Sequence, residues 1–307
     1  MAHRSILGSL WGSLVGDALG VPVEFESREA RRRDPVTGMR GFGSHSQPPG
    51  TWSDDGALLL CSAESLMLCH GFDAQDMARR FVRWNRNGLW TATGDVFDIG
   101  HATSQALGRA ARGVDPAECG GREEYQNGNG SLMRILPLSL AVAKSGEESW
   151  IDIGSAITHG HLRSKLACRF HALFVGAYLN GGEVAPAFSE AQDRFGKLVA
   201  ETGETGVFAR ILAAGFQELP ESAIHSTGYV VDTLEASFWC LFNYDSFADC
   251  VLAAVNLGDD TDTTGCVTGG LAGLVHGLDA VPSDWLDAIP RHAELDSLFQ
   301  LFLPLCP

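Results

Sequence analysis

The stretch GDDTDTTG, residues 258–265, sets Asp259, Asp260 and Asp262 within four positions and follows them with Thr263 and Thr264. One carboxylate ahead of a helix is a cap, accepting backbone N–H bonds. Three in a row repel one another, and a bound cation offsets that repulsion. A hard cation takes about six oxygen ligands, more than one segment supplies. A second acidic segment is therefore expected, and TWSDDGALLL, residues 51–60, meets the description. Ser53, Asp54 and Asp55 precede a helix there, as Asp260, Asp262 and Thr263 precede a helix predicted over 263–277. Two readings stand: two over-capped helices, or one shared site of four or five carboxylates and two hydroxyls. The shared site has hard oxygen ligands, which favour Mg²⁺ or Mn²⁺ over Zn²⁺. So many anionic ligands suit two ions, which can clamp neighbouring oxygens and activate a water.

Between these segments lies NGNGSLMR, residues 127–134. Gly128 and Gly130 free the backbone to bend, and a helix is predicted to start at Ser131. A glycine turn running into a helix N-terminus offers N–H groups to an anion. Beside a metal site that makes a phosphate cradle of Gly128, Asn129, Gly130, Ser131 and Met133; elsewhere it is an ordinary loop. Arg134 either adds positive charge or pairs with an acidic neighbour. His159 and His161, in ITHGHL, are two residues apart, a spacing that does not put two ligands on one helix face. The simpler reading is a satisfied histidine, and the alternative is a donor to a substrate phosphate or ribose.

Helical periodicity dominates the elements that must position these groups. In ILGSLWGSLVGDALG, Leu7, Leu10, Trp11, Leu14 and Ala18 share a face, and Gly8, Gly12, Gly16 and Gly20 recur every four residues beside it. A glycine inside a helix costs about 1 kcal/mol, so close approach of another backbone is expected there. Further helices are read at 57–71, 73–88 and 98–113, with Asp98 the simplest N-cap of the last. Others follow in SLMRILPLSLAVAKSG, where Pro137 is expected to kink the helix, and in RSKLACRFHALFVGAYLNG, YVVDTLEASFWCLFN, SFADCVLAAVNLG and DTTGCVTGGLAGLVHG. Period-two alternation is scarce. The Gly/Pro-rich stretch 35–50 reads as a lid or an irregular wall. The expectation is one compact all-α domain over residues 1–307 with a cleft for two metals.

Composition bounds the partners. Lys and Arg number 22 against 38 Asp and Glu, a net charge of −16, which disfavours nucleic acid. Arg31, Arg32 and Arg33 read as a solvated loop. Eight cysteines without a CxxC pair suit a reducing compartment rather than a disulfide framework. No signal-peptide core is evident, and polar residues interrupt every long apolar stretch. A cytoplasmic protein without a membrane span, acting as a monomer, is expected.

Seven motifs in order carry a resemblance: GDALGVPVEF (16–25), TWSDDGALLL (51–60), FDIGHAT (97–103), GNGSLMR (128–134), ITH (157–159), GYVVDTLEAS (228–237) and GDDTDTTG (258–265). The chain resembles the ADP-ribosylglycohydrolase family, above all its bacterial dinitrogenase-reductase-activating and ADP-ribosylarginine-hydrolase branch. The resemblance implies an all-α fold with a two-metal cleft, ligated by Ser53, Asp54, Asp55, Asp260, Asp262 and Thr263. It implies ADP-ribose as ligand, with its pyrophosphate on the Gly128–Arg134 turn, Tyr229 flanking the adenine and His159 contacting the pyrophosphate and ribose. Glu24 would lie near the metals and the entering acceptor, and Asp98 would be the acid that protonates the ribose during cleavage. Asp54 and Asp55 would share in the catalysis they ligate. The family usually has Thr at the position of Ser53, and Thr or Ser at that of Gly56, which puts metal affinity and the rigidity of that helix start in question. The expected substrate is ADP-ribosylated protein, most simply at arginine. Serine-linked or small-molecule ADP-ribose is an alternative, as is an immunity role that binds and neutralises an ADP-ribosylating toxin.

Overall fold

The glycine stripe of the first helix, Ala2–Gly20, meets a second glycine stripe. The structure, a computed structural model, describes residues 2–307. Helix Thr261–His276 runs antiparallel to the first helix, glycine against glycine. A Cβ added at Gly8, Gly12 or Gly16 would stand 2.4, 2.3 or 2.0 Å from the carbonyl oxygens of Gly273, Gly269 and Gly265. The reverse holds as well: a Cβ at Gly265, Gly269 or Gly273 would stand 2.0–2.4 Å from the carbonyls of Gly16, Gly12 and Gly8. Both stripes repeat every four residues, so the ridges of one helix mesh with those of the other along the crossing. Dispersion contacts between the two backbones offset the intrinsic weakness of glycine in a helix.

Every residue from Ile6 to Gly20 and from Thr261 to Leu274 is buried, so the pair forms the axis of the molecule. The first helix is long and apolar enough to cross a membrane, counted over Ala2–Val23, contrary to the reading of the sequence. Its whole apolar stretch is buried among other helices, which is where a helix apolar all round belongs in a packed core.

Around the axis pack Asp54–Cys69, Leu136–Ser145, Val230–Asn243 and Phe247–Asn256. Leu162–Gly181 and Val184–Thr202 form an outer pair, joined to Val230–Asn243 by a phenylalanine cluster. In it Phe170 meets Phe195 and Phe238 edge-on, each at 5.2 Å between ring centroids. No sheet forms among the described residues; only isolated bridges such as Gly128 to Tyr229 occur. The fold is all-α, as the periodicity indicates.

Two local expectations are corrected. Pro137 kinks nothing: it sits in the first turn of Leu136–Ser145, where its missing N–H has no intrahelical partner to lose. Arg31–Arg33 is not a solvated loop but the last turn of a short helix, Arg28–Arg33. Arg31 is buried there against Glu26, with Asp34 3.7 Å away, so the carboxylates neutralise the charge that packing takes out of water.

The glycine crossing makes opposite predictions for one substitution at two sites. Gly176, inside Leu162–Gly181, has open space where an added methyl would stand, with nothing within 4 Å, so Gly176→Ala should stabilise by about 0.4–1 kcal/mol. Gly16→Ala drives a methyl into a carbonyl and should destabilise by about 1–3 kcal/mol or more. Urea unfolding of both variants checks this, and a Gly16→Ala protein as stable as wild type would contradict the crossing.

Candidate metal centre and cleft

The first helix positions both acidic segments. At its end, a Cβ on Gly20 would stand 2.4 Å from the Cα of Asp262, and the Thr261 hydroxyl donates to the Gly20 carbonyl at 2.8 Å. One residue past Gly16, the buried Asp17 accepts from the backbone N–H of Ser53 at 2.9 Å and of Gly56 at 2.8 Å. A carboxylate from elsewhere in the chain thus satisfies the orphan donors that open helix Asp54–Cys69. Asp17 escaped the sequence reading, although a charged residue within an apolar, glycine-striped helix was a visible signal. Gly56 also acquires a reason. A Cβ there would lie 2.8 Å from Leu14 and 2.9 Å from Trp52, so this helix start is held by packing rather than loosened by glycine.

Asp54, Asp55, Asp260 and Thr263 line one cleft of about 280 Å³, with Glu24 and Asp98 beside them. Asp262 and Ser53 are buried immediately behind. The Thr263 hydroxyl donates to Asp55 at 3.4 Å, Ser53 Oγ accepts from the Asp55 N–H at 3.2 Å, and Asn129 Nδ2 donates to Asp260 at 2.9 Å. Carboxylate oxygens of Glu24, Asp260 and Asp262 lie within 4.8 Å of one another. Asp259 is exposed, in a left-handed conformation (φ 60°), and exchanges backbone bonds with Phe25 and Glu26. The crowding is therefore relieved by one residue turning away.

One oxygen each of Asp55, Asp260 and Asp262 is buried without a hydrogen-bond partner. Among the described residues no Lys or Arg lines the cleft. Orphaned, hard, anionic oxygens with nothing to neutralise them are what a divalent cation fits. Left to themselves, these acids resist ionisation. Burial, then Asp98, raises Asp54; burial, then Asp17, raises Asp55; burial, then Glu24, raises Asp262. Glu24 is pushed up by burial and next by Asp98.

Asp98 is not an N-cap. It has φ 56°, and the helix behind it, His101–Ala110, starts later with Gly100 at the cap and no side-chain capping bond. The displaced start leaves Asp98 free to face the cleft. Burial raises its pKa, opposed by the His45 ring 3.8 Å away. His45, which the sequence reading left inside a featureless loop, also bonds Glu24 through Nε2. Its 3₁₀ turn, Gly43–His45, is seated on the segment before Glu24, where Ser44 Oγ donates to the Glu24 carbonyl at 2.6 Å. Stretch 35–50 is thus an irregular wall at this point.

The opposite wall is the glycine turn. Gly128, Asn129, Gly130 and Met133 line the cleft, together with Thr103 and His159. No helix starts at Ser131, contrary to expectation: the N–H groups of Leu132 and Met133 turn back to the Asn129 carbonyl, and the helix waits until Leu136. Ser131 is buried beneath the turn, accepting from Ser155 Oγ at 2.9 Å. Arg134 does not reach the cleft. Its guanidinium is buried 4.5 Å from the centroid of Phe81 and donates to the Gly154 carbonyl and to Thr158 Oγ1, at 3.1 and 2.7 Å. That second bond orders the histidine. The Thr158 hydroxyl is in turn hydrogen-bonded to His159 Nδ1, 3.0 Å away. A Cβ on Gly128 would lie 3.5 Å from Nε2, so that nitrogen faces the turn. Burial, with Arg134 adding to it, lowers the His159 pKa to about 3 and keeps the ring neutral. His161 has the plain structural role: it caps Leu162–Gly181, Nδ1 accepting from the Arg163 N–H at 3.1 Å. Tyr229 stands half-buried beside the cleft residue Gly228, held by the bonds from Asn129 N–H to Gly228 and from Val230 N–H to Asn127. The cleft thus opposes an acidic wall to a glycine turn without acidic side chains.

Comparison with known proteins agrees. A family model described as ADP-ribosylglycohydrolase matches residues 2–306. The chain is 32% identical over 303 residues to ADP-ribosylarginine hydrolase Tri1 of Serratia proteamaculans, covering 98% of this chain and 79% of that protein. It is 31% identical to ADP-ribosyl-[dinitrogen reductase] glycohydrolase of Rhodospirillum rubrum, over 95% of this chain and 92% of that protein. A solved ADP-ribosylglycohydrolase-related protein complex is similar at 33% identity and a TM-score of 0.83, covering 99% of this chain and 98% of that one.

The crowded acids make stability depend on cation and pH together. Their pKa values are raised in the folded state, so between about pH 4 and those raised values the folded chain binds more protons than the unfolded one. Stability without divalent ions should then fall as pH rises from about 6 to about 8. Saturating Mg²⁺ or Mn²⁺ should raise the melting temperature most at the higher pH, because the cation stabilises the ionised acids. Thermal melts with and without chelator measure this; an equal metal effect at both pH values would contradict it.

Proposed function

The chain belongs to the ADP-ribosylglycohydrolase family, and we propose that it hydrolyses the bond joining ADP-ribose to an arginine side chain of a modified protein. The observation that carries this reading is the set of orphaned oxygens on Asp55, Asp260 and Asp262, set across one cleft from the glycine turn. Ser53, Asp54, Asp55, Asp260, Asp262 and Thr263 would hold two divalent cations, Mg²⁺ or Mn²⁺, whose Lewis acidity would fix the hydroxyls of the distal ribose and a water.

The chain's own residues do the remainder. The backbone N–H groups of Gly128, Gly130 and Ser131, which make no bond within the turn, receive the pyrophosphate; that of Asn129 is held by Gly228. His159 donates from Nε2 to the phosphate or ribose, and its neutrality makes it a donor that does not titrate near pH 7. Tyr229 flanks the adenine, and Met133 closes the apolar side. Arg134 and Ser131 act from beneath, bracing the turn and the histidine rather than touching the ligand. Asp98, whose pKa burial raises, gives its proton to the leaving guanidine nitrogen as the C1–N bond breaks. Water oxygen bonds to C1, and its proton returns to Asp98. Free arginine side chain and ADP-ribose result, with one water consumed. Glu24 borders the acceptor side.

Two mono-ADP-ribosylated peptides, one at arginine and one at serine, test the acceptor in Mg²⁺ and then Mn²⁺. Release from arginine is expected at least as fast as from serine; faster serine release overturns the acceptor, and release from neither overturns the reaction. Asp98→Asn separates acid catalysis from architecture. Asn tolerates the left-handed conformation that Asp98 adopts, so melting temperature and ADP-ribose affinity should hold. Turnover should fall by about 10²–10⁴-fold. Near wild-type turnover would remove the acid role.

A further inference from the structure

Two large aromatic side chains at the acidic end of the molecule are left in water. Phe25 is 71% exposed and Phe42 63% exposed, and both have left-handed backbones, with φ of 66° and 68°. A bulky residue at positive φ is uncommon. Such a residue with its ring in solvent contributes little burial to the fold. At Phe25 the backbone is fixed by the bond from its N–H to the Asp259 carbonyl at 2.7 Å, which any residue type could make. Phe25 is among the residues that line the cleft.

Phe25 is one of three aromatic groups that converge from distant segments. Its centroid lies 5.9 Å from that of His45, and His45 lies 5.2 Å from Phe97. The carboxylates of Glu24 and Asp98 border the same ring of His45. A π-face set beside two carboxyl groups recognises a flat cation: the faces attract the charge, and the carboxyl oxygens accept its N–H groups. A hydroxyl acceptor gains from neither.

We infer that Phe25, with His45 and Phe97, forms the wall on which the guanidinium of the acceptor arginine stacks, so that the choice of arginine over serine is made by aromatic faces at the mouth as well as by charge. This rests on the proposed arginine reaction and names the residues that give it its acceptor.

The probe is agmatine, a guanidinium without a peptide, titrated by calorimetry into Mg²⁺-loaded protein saturated with ADP-ribose. Phe25→Ala and Phe25→Leu should each weaken agmatine binding by about 3- to 30-fold, while Phe25→Trp retains it. ADP-ribose affinity and melting temperature should not move, because Phe25 packs against neither. In turnover, Phe25→Ala should raise KM for the arginine-linked peptide with little change in kcat. A change in agmatine affinity of less than about twofold in Phe25→Ala, or a Leu variant that binds as well as Trp, overturns the wall. The two readings fail separately. Phe25-dependent agmatine binding in a protein that releases nothing from arginine supports the wall and sinks the reaction. Unchanged KM in a Phe25→Ala enzyme that cleaves arginine does the reverse.

Discussion

The distance between two backbones governs this molecule. Where Ala2–Gly20 crosses Thr261–His276, carbonyl oxygens occupy the places that side chains would need. The contact therefore admits one spacing and one register. The register puts Gly20 on Asp262 at one end of the crossing and leaves Asp17 directed at the N-terminus of Asp54–Cys69. Acidic segments about 200 residues apart are thus held by a single rigid helix rather than by each other. Coupling through mutual contact would be weak, since like charges repel. Between the segments themselves the Thr263 hydroxyl reaches Asp55 with a long bond of 3.4 Å.

Such a frame allows the cleft to be electrostatically unfavourable. Orphaned carboxylate oxygens and raised pKa values are destabilising features, and a loosely packed scaffold would relax to hide them. Here the axis is buried all round and cannot yield without exposing its apolar surface. The opposite wall shows the same division of labour in milder form. Arg134, buried and stacked on Phe81, acts through Thr158 on a neutral histidine, so a cation that never touches the cleft helps to hold the ring that faces it.

Much of this was legible in the residues. The four-residue glycine spacing implied a backbone neighbour, the paired acidic helix starts implied a shared site, and the periodicity implied an all-α fold. The misreadings have a common physical origin. A cap and an acid facing a cleft are the same residue type, and only the left-handed conformation at Asp98, with the helix delayed to His101, separates them. Arg134 and Arg31 are charged, yet packing partners bury both, and charge in a one-dimensional reading argues for solvent. Pro137 illustrates a boundary problem: proline breaks a helix or begins one depending on where the preceding turn ends, here with the bond from the Ile135 N–H to the Leu132 carbonyl. His45 left no local trace, because its meaning comes from a three-dimensional meeting with Glu24.

The same crossing has a consequence for how the chain comes into being. Ala2–Gly20 is made about 240 residues ahead of its partner helix, so a long apolar helix waits through that stretch of synthesis without its mate. Its glycine stripe cannot be covered by a typical helix, whose side chains would meet the carbonyls. Closing so long a loop carries an entropic penalty that local helices do not share. The nascent chain therefore holds neither an axis nor a gathered set of acids, and a ribosome stalled before residue 261 carries a chain whose first helix is a target for chaperones. Gathering of the acidic segments and completion of the core are one event.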